Sequence, residues 1–217
     1  NTIAWYENDG AANPSWTASD ISYTALGPRG IFLADIDSDG DLDIISASSG
    51  DNTIAWYEND GAANPSWTAA DISTTADGAR NVFVADIDRD GDLDIVSASH
   101  DDDTIAWYEN DGNSDPSFTK NVISTSADGA RGVHIADIDS DGDLDIVSAS
   151  RIDNKIAWYE NDGAANPSWS TTTIATSAAG ARDIHIADMD NDGDLDIVSA
   201  SSGAVSYTHL RAHETTP

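Results

Sequence analysis

The stretch Asp35-Ile36-Asp37-Ser38-Asp39-Gly40-Asp41-Leu42-Asp43 decides how this chain is organised. It returns with few changes at residues 86–94, 137–145 and 188–196, each copy beginning 51 residues after the one before. Self-similarity at a fixed period of this length is typical of proteins built from repeated structural units. The sequence therefore predicts a repeat protein in which every unit carries one acidic loop.

The acidic loop has the composition of a site for a hard divalent cation. Counted from Asp35, carboxylates stand at positions one, three, five and nine, and Asp41 at position seven offers its backbone carbonyl. Gly40 at position six permits a sharp reversal that a residue with a Cβ atom resists. Oxygen ligands without histidine or cysteine favour Ca²⁺ over zinc or copper, whereas Mg²⁺ prefers to keep its waters.

We therefore expect up to four Ca²⁺ ions, one in each acidic loop. An acidic turn that binds nothing is the alternative, but such a turn does not need a glycine and alternating carboxylates at the same places four times over. The predicted metal ligands are the five aspartates of each loop: Asp35, Asp37, Asp39, Asp41, Asp43, Asp86, Asp88, Asp90, Asp92, Asp94, Asp137, Asp139, Asp141, Asp143, Asp145, Asp188, Asp190, Asp192, Asp194 and Asp196.

The loop resembles the first nine positions of an EF-hand loop, but the likeness ends there. Position twelve of an EF-hand is a bidentate glutamate, whereas here it is Ser46 in the first copy and serine in the other three. The residues that follow the loop, 43–48, are rich in β-branched side chains, which favour strands. The loop is therefore expected to join two strands and not two helices.

Each unit reads as four short strands separated by turn signals. In the first complete unit they cover residues 30–34, 43–48, 53–58 and 66–73, and Asn59-Asp60-Gly61 is a typical hairpin turn. No segment keeps a helical period. Four antiparallel strands for every 51 residues or so predict an all-β fold, a β-propeller made of four-stranded antiparallel blades.

The blade boundaries follow from the repeat. The chain divides into a half blade at residues 1–30, blades at 31–80, 81–131 and 132–182, a half blade at 183–203 and a tail at 204–217. Because the chain starts in mid-blade and ends abruptly, we expect a partial ring cut from a larger propeller. The alternative is a closed four-bladed ring in which the two terminal halves complete one blade. The tail has no repeat partner, and we interpret it as non-native sequence.

These features resemble the FG-GAP and VCBS-like family of calcium-loop repeats, which builds propellers in integrin α-subunits and in many secreted bacterial proteins. In that family the loop joins the first and second strands of a blade, which is where it falls here. The resemblance covers residues 1–203 and implies calcium binding. The Gly-Ala-Arg and Ser-Ala-Ser sequences at the two name-giving slots place the chain nearer the VCBS-like branch, so no integrin ligand site is carried over.

Charge and composition restrict the function. A net charge of -31 argues against nucleic acid and anionic membrane surfaces as partners, and no apolar run is long enough for membrane insertion. Weak calcium sites fill only where Ca²⁺ is near millimolar, which means outside cells. We expect an extracellular or cell-surface module, stabilised by calcium, that serves as a binding or adhesion scaffold within a longer chain. Its ligand is a protein or glycan that the sequence does not identify.

Two other functions stay open as alternatives. A carbohydrate-binding propeller would use the aromatic residues that follow the turn in each unit, Trp16, Trp67, Phe118 and Trp169, either to stack on sugars or simply to pack. The other alternative is the propeller part of a polysaccharide-active enzyme. The chain shows no Ser-His-Asp order, cysteine nucleophile or phosphate-binding glycine loop, so we expect no enzymatic activity.

One arginine also recurs in every unit, just before the first strand. These four residues are Arg29, Arg80, Arg131 and Arg182. They predict either a ring that receives an anionic ligand, such as a uronic acid, or salt bridges to neighbouring acids such as Glu58. His134 and His185 occupy the slot that Phe32 and Phe83 fill in earlier units, which favours a packing role.

Overall fold

The computed structural model describes residues 1–203 and 210–211, and its regular elements there are all β-strands. Their bounds are β1 Ile3–Asn8, β2 Trp16–Ser22, β3 Pro28–Ala34, β4 Asp43–Ser48, β5 Thr53–Asn59, β6 Trp67–Ser73, β7 Ala79–Ala85, β8 Asp94–Ser99, β9 Thr104–Asn110, β10 Phe118–Ser124, β11 Ala130–Ala136, β12 Asp145–Ser150, β13 Lys155–Asn161, β14 Trp169–Ala175, β15 Ala181–Ala187, β16 Asp196–Ser201 and β17 Leu210–Arg211. Among these residues there is no helix with the length and apolar character needed to traverse a bilayer.

The strands form antiparallel sheets in chain order, one sheet for each repeat. Three sheets are complete blades of four strands, β3–β6, β7–β10 and β11–β14. They are flanked by the two-stranded sheet β1–β2 and the sheet β15–β16–β17. The predicted all-β fold of four-stranded antiparallel blades is therefore confirmed.

The second strand of each complete blade is buried along its whole length because the sheet lies between other sheets. All six residues of β8 are buried, including Ser97 and Ser99, and the same holds for β4 and β12. A strand covered on both faces needs apolar or small residues at every position rather than at alternate ones. This explains the Asp-Ile-Val-Ser-Ala-Ser sequence of β8.

The hydrophobic cores lie between successive blades. Ile54 and Trp56 of one blade pack in a single cluster with Val82 and Ile95 of the next. Equivalent clusters join the second blade to the third and the third to β15–β16, and a smaller one joins β1–β2 to the first blade. The blades therefore stack face to face, as in a propeller.

The first strand of each blade lies on the inner side of the arc, where neighbouring blades approach most closely. Strands β3, β7, β11 and β15 contact one another in sequence. Their aromatic rings form a row with centroid distances of 4.8 Å from Phe32 to Phe83, 4.7 Å from Phe83 to His134 and 4.8 Å from His134 to His185. The two histidines thus pack as members of this row.

The arc is open. Within the described residues, β1 pairs with β2 alone, and β16 pairs with β17 through Ile197 and Leu210 on the side that β1 would occupy in a closed ring. The closed four-bladed alternative is therefore wrong, and the blades form a partial ring. The interpretation of residues 204–217 as non-native lies outside the described residues, apart from the backbone of Leu210–Arg211.

Candidate metal centre

Each acidic loop connects the first and second strands of a blade. In the first complete blade, Ala34 at the end of β3 pairs with Asp43 at the start of β4, so the loop closes tightly on itself. Gly40 has a φ of 99° and Gly91 one of 101°, a conformation that side chains with a Cβ atom rarely adopt. The glycine at position six therefore makes the reversal that the sequence predicts.

The structure brings together the aspartates at positions one, three and five of every loop. In each loop, one carboxylate oxygen from each of these three residues lies within 4.8 Å of the other two. The four triplets are Asp35, Asp37 and Asp39; Asp86, Asp88 and Asp90; Asp137, Asp139 and Asp141; and Asp188, Asp190 and Asp192. Like charges held this close repel one another, and a cation bound among them would relieve the repulsion. Each triplet can therefore hold a metal ion.

The carboxylate at position one supplies a more specific indication of a cation. The Oδ2 atom of Asp86 accepts a hydrogen bond from the amide of Gly91 at 3.1 Å, whereas its Oδ1 atom is buried without a hydrogen-bond donor. Asp137 repeats this pattern, with Gly142 as the donor at 3.0 Å. An unpaired buried carboxylate oxygen is costly, and a cation would satisfy it. An all-oxygen donor set of this kind is compatible with Ca²⁺.

Position three lies in the same negative environment. Burial, followed by the charge of Asp90, raises the pKa of Asp88 above its ordinary value. Burial and the charge of the position-five aspartate raise the pKa values of Asp37 and Asp139 in the same way. The protein therefore holds these carboxylates where their negative charge is disfavoured without a counter-ion.

Position nine is buried and is not among the three carboxylates that lie within 4.8 Å of one another. Asp94 is buried, with its Oδ2 atom accepting the amide of Ile87 at 3.0 Å and its Oδ1 atom the amide of Asn110 at 2.8 Å. Burial raises the pKa of Asp94 to about 7 and that of its counterpart Asp145 to about 6. Through these two hydrogen bonds Asp94 joins the loop to the end of β9. The part of position nine in metal binding stays a prediction.

Position seven directs its side chain away from the triplet. The carboxylate of Asp143 lies against Gly163, in the turn between the third and fourth strands of the same blade. It also forms an ion pair with Arg89 of the preceding loop at 2.5 Å. Neighbouring loops are therefore tied together through this residue, and the use of its backbone carbonyl as a metal ligand stays a prediction.

Sequence reasoning missed an asparagine that connects the second and third loops to the loop of the preceding blade. The Nδ2 atom of Asn110 donates to the carbonyl of Leu93 at 3.1 Å and to that of Ile36, in the preceding loop, at 3.3 Å. Asn161 does the same with Leu144 at 3.1 Å and Ile87 at 3.2 Å. The sequence did contain a signal, because this asparagine recurs in every repeat. It was missed because asparagine at this place is also an ordinary turn-forming residue.

A glutamate on the third strand of each blade was also missed. Burial and then the charge of Asp37 raise the pKa of Glu58, which places its carboxylate beside the first loop. Glu109 likewise contributes negative charge at Asp88. Both residues stand 15 positions after position nine of their loop, and that fixed offset could have identified them as part of the acidic site.

The structure bears on one of the two interpretations of the recurrent arginines, the salt bridges. Among residues 1–203 and 210–211, none of the four arginines forms an ion pair with a carboxylate. The salt-bridge interpretation is therefore wrong, because Glu58 lies beside the acidic loop at the other end of the blade.

The aromatic residues that follow the turn lie partly within the blade cores. Trp67, Phe118 and Trp169 are half-buried and pack against the clusters between blades, whereas Trp16 is 60% exposed. Packing accounts for three of the four positions. Sugar stacking at these residues stays a prediction.

Comparisons with known proteins agree with this geometry. The profile of the FG-GAP-like repeat matches residues 35–97, 86–148 and 137–199, each match running from one acidic loop through the next. A search of curated proteins found no significant match. Among solved structures, the crystal structure of a protein from Lactobacillus plantarum is similar, with a TM-score of 0.51 and 17% identity over 100% of this chain and 67% of that one. At this identity the likeness concerns the fold alone.

Proposed function

The chain belongs to the FG-GAP-like repeat family, and from this membership and its aspartate triplets we propose that it is a calcium-stabilised binding module. The observation that carries the proposal is the buried Oδ1 atom of Asp86 and of Asp137, which lacks a hydrogen-bond donor. In each case the atom belongs to a residue of a triplet, so one divalent cation would satisfy it and also relieve the repulsion among three carboxylates.

Calcium in this position has a structural role. Each loop joins two strands of a blade, and the carbonyls of Ile36 and Ile87 within the loops accept hydrogen bonds from asparagines of the next blade. An ion that orders a loop therefore also orders the contact with the following blade. Because the ion binds the folded state and not the unfolded one, the free energy of unfolding rises with free Ca²⁺.

We place this module outside the cell or on its surface, as a scaffold that presents a binding face within a longer secreted or surface protein. The calcium requirement supports this placement, and the net charge restricts the partner. Loops of this type that bind weakly would be occupied only at the near-millimolar Ca²⁺ of extracellular fluids. A net charge of -31 disfavours nucleic acid as the partner. We propose that the module acts by binding and carries no enzymatic activity.

The experiment is a calorimetric Ca²⁺ titration of the metal-free chain, paired with thermal unfolding in EDTA and in excess Ca²⁺. We expect uptake of up to four ions and a clear rise in melting temperature, since saturation at one hundred times the Kd contributes about 2.7 kcal/mol per site. Asp88→Asn should reduce the stoichiometry by one. Asp71→Asn, on the exposed outer strand β6, removes the same charge and should leave the stoichiometry unchanged.

Two results would contradict the proposal. Absence of Ca²⁺ uptake, with identical melting curves in EDTA and in Ca²⁺, would remove the metal role. A Kd well below micromolar would remove the calcium argument for the extracellular placement alone, because such sites would fill inside cells as well as outside them.

A further inference from the structure

The four recurrent arginines converge at one end of the inner surface of the arc. Each comes from the first strand of its blade, and together they line a cavity of about 240 Å³. The lining residues are Arg29, Arg80, Asn81, Arg131, Arg182 and Asp183. Four of the nine basic residues of this acidic chain therefore surround one small space.

Close contact between neighbouring inner strands brings the arginines together. A Cβ atom on Gly30 would lie 2.9 Å from the carbonyl oxygen of Arg80, and one on Gly132 would lie 3.0 Å from the Cα atom of Asp183. Between these two contacts, the Oδ1 atom of Asn81 accepts a hydrogen bond from the amide of Val133 at 3.2 Å. The backbones thus approach too closely for larger side chains, and the adjacent guanidinium groups share one cavity.

Within the described residues, none of these four arginines forms an ion pair with a carboxylate. The ion pairs of the described residues join Arg89 to Asp143, His100 to Asp101 and Lys155 to Asp153. Asp183 lines the cavity, where its Oδ1 atom accepts the amide of Ile184 at 3.0 Å, and the charge of Asp101 acts on Arg80. Two carboxylates therefore offset part of the charge of the four arginines, and the cluster keeps a positive excess.

The two central arginines also have unsatisfied donors. The Nε atoms of Arg80 and Arg131 are buried without a hydrogen-bond acceptor. Burial and the charge of Arg29 lower the pKa of Arg80, and burial and the charge of Arg80 lower that of Arg131. Arg80 and Arg131 are half-buried, and in a chain with 40 acidic residues neither forms an ion pair within the described residues, so both guanidinium groups stay available to an added anion.

We propose that this cavity binds a small oxyanion with two negative charges, whose oxygens accept hydrogen bonds from the guanidinium groups of Arg80 and Arg131. Planar guanidinium groups bind carboxylate, sulfate and phosphate oxygens in a bidentate manner. The cavity volume is below the range of about 300–1,000 Å³ typical of drug-sized ligands, so the bound group is small. The site is separate from the acidic loops, which lie at the opposite end of the same strands.

The test is a calorimetric titration of the full chain in excess Ca²⁺ with succinate and, separately, with sulfate, at constant ionic strength maintained with chloride. We expect saturable binding with one anion per chain for at least one of the two probes. Preference for succinate identifies a dicarboxylate site, and preference for sulfate identifies a site for tetrahedral oxyanions.

Substitutions locate the binding. The double variant Arg80→Gln and Arg131→Gln should bind at least tenfold more weakly than the wild-type chain. Arg80→Lys with Arg131→Lys keeps both charges but loses the planar group, so it should bind more weakly than wild type and more tightly than the glutamine variant. Lys120→Gln, on the outer strand β10, removes one positive charge elsewhere and should bind as wild type does.

Three outcomes would overturn the proposal. They are the absence of saturable binding to either probe, equal binding by the glutamine double variant, and a decrease of binding in Lys120→Gln as large as in that variant. Thermal unfolding in anion-poor buffer is a further check, since removal of two mutually repelling charges should not lower the melting temperature. A lower melting temperature there would assign the arginines a structural role and reject the site.

Discussion

Replacement of Asn161 by alanine tests whether the asparagine bridge holds successive blades together. The buried side chain of Asn161 donates to the carbonyls of Leu144 and Ile87 and accepts the amide of Gly163 at 3.0 Å. The chain contains its own control in Asn59, which donates to the carbonyl of Leu42 at 3.1 Å and accepts the amide of Gly61 at 3.1 Å. The two sites therefore differ in the hydrogen bond that crosses to the preceding blade and in burial, since Asn161 is buried and Asn59 is half-buried.

The magnitude follows from that difference. A net hydrogen bond contributes about 1 kcal/mol, and a buried carbonyl left without a donor costs about 1–3 kcal/mol. We expect Asn161→Ala to lower the free energy of unfolding by about 2 kcal/mol more than Asn59→Ala does. For a chain of this length, that corresponds to a melting temperature lower by roughly 4–8 °C.

The assay is urea unfolding of both variants and the wild type in excess Ca²⁺, followed by circular dichroism. Equal destabilisation by the two substitutions would refute the reasoning, because it would mean that the bond between Asn161 and Ile87 adds nothing to the cohesion of the blades.

Two further predictions concern the loop itself. In the metal-free chain, the pKa of Asp94 is about 7 in the folded state, above the ordinary 3.8. The contribution of Asp94 to stability is therefore fully present below the ordinary pKa and is lost as the pH rises through 7. Melting temperatures measured in EDTA should fall between pH 5 and pH 8, and they should fall less in Asp94→Asn. Gly163→Ala should lower the free energy of unfolding by about 1–3 kcal/mol more than Gly10→Ala does. Both glycines have a φ near 70°, but of the two only Gly163 lies against a carboxylate, that of Asp143. Equal free energies of unfolding for the two variants in urea would contradict this contact.

The blade architecture could be predicted because its signals are local and repeat in register. Gly40 and its three counterparts identify the reversal, and the alternating aspartates identify the residues that face a common centre. The β-branched residues after each loop identify the second strand of the blade, which is buried on both faces. Each of these signals depends on residues less than ten positions apart, where backbone geometry restricts the outcome strongly.

Contacts between blades could not be read in the same way. The bond from Asn110 to Ile36 joins residues 74 positions apart, and it depends on how one blade is placed against another. Asp43 shows a second limit, because both of its buried carboxylate oxygens accept backbone amides, those of Ile36 and Asn59. The spacing of the aspartates does not predict these two contacts.

The inner strands carry opposite charges at their two ends. Arg80 begins one such strand and Asp86 follows its end, six residues later, which corresponds to about 20 Å of extended backbone. With four strands side by side, the arginines lie at one end of the inner surface and the acidic loops at the other. A divalent cation bound in an acidic loop and an anion bound at the arginines would attract each other, so each would raise the affinity for the other. Since this coupling acts across about two Debye lengths at 0.1 M salt, it should strengthen as salt is diluted.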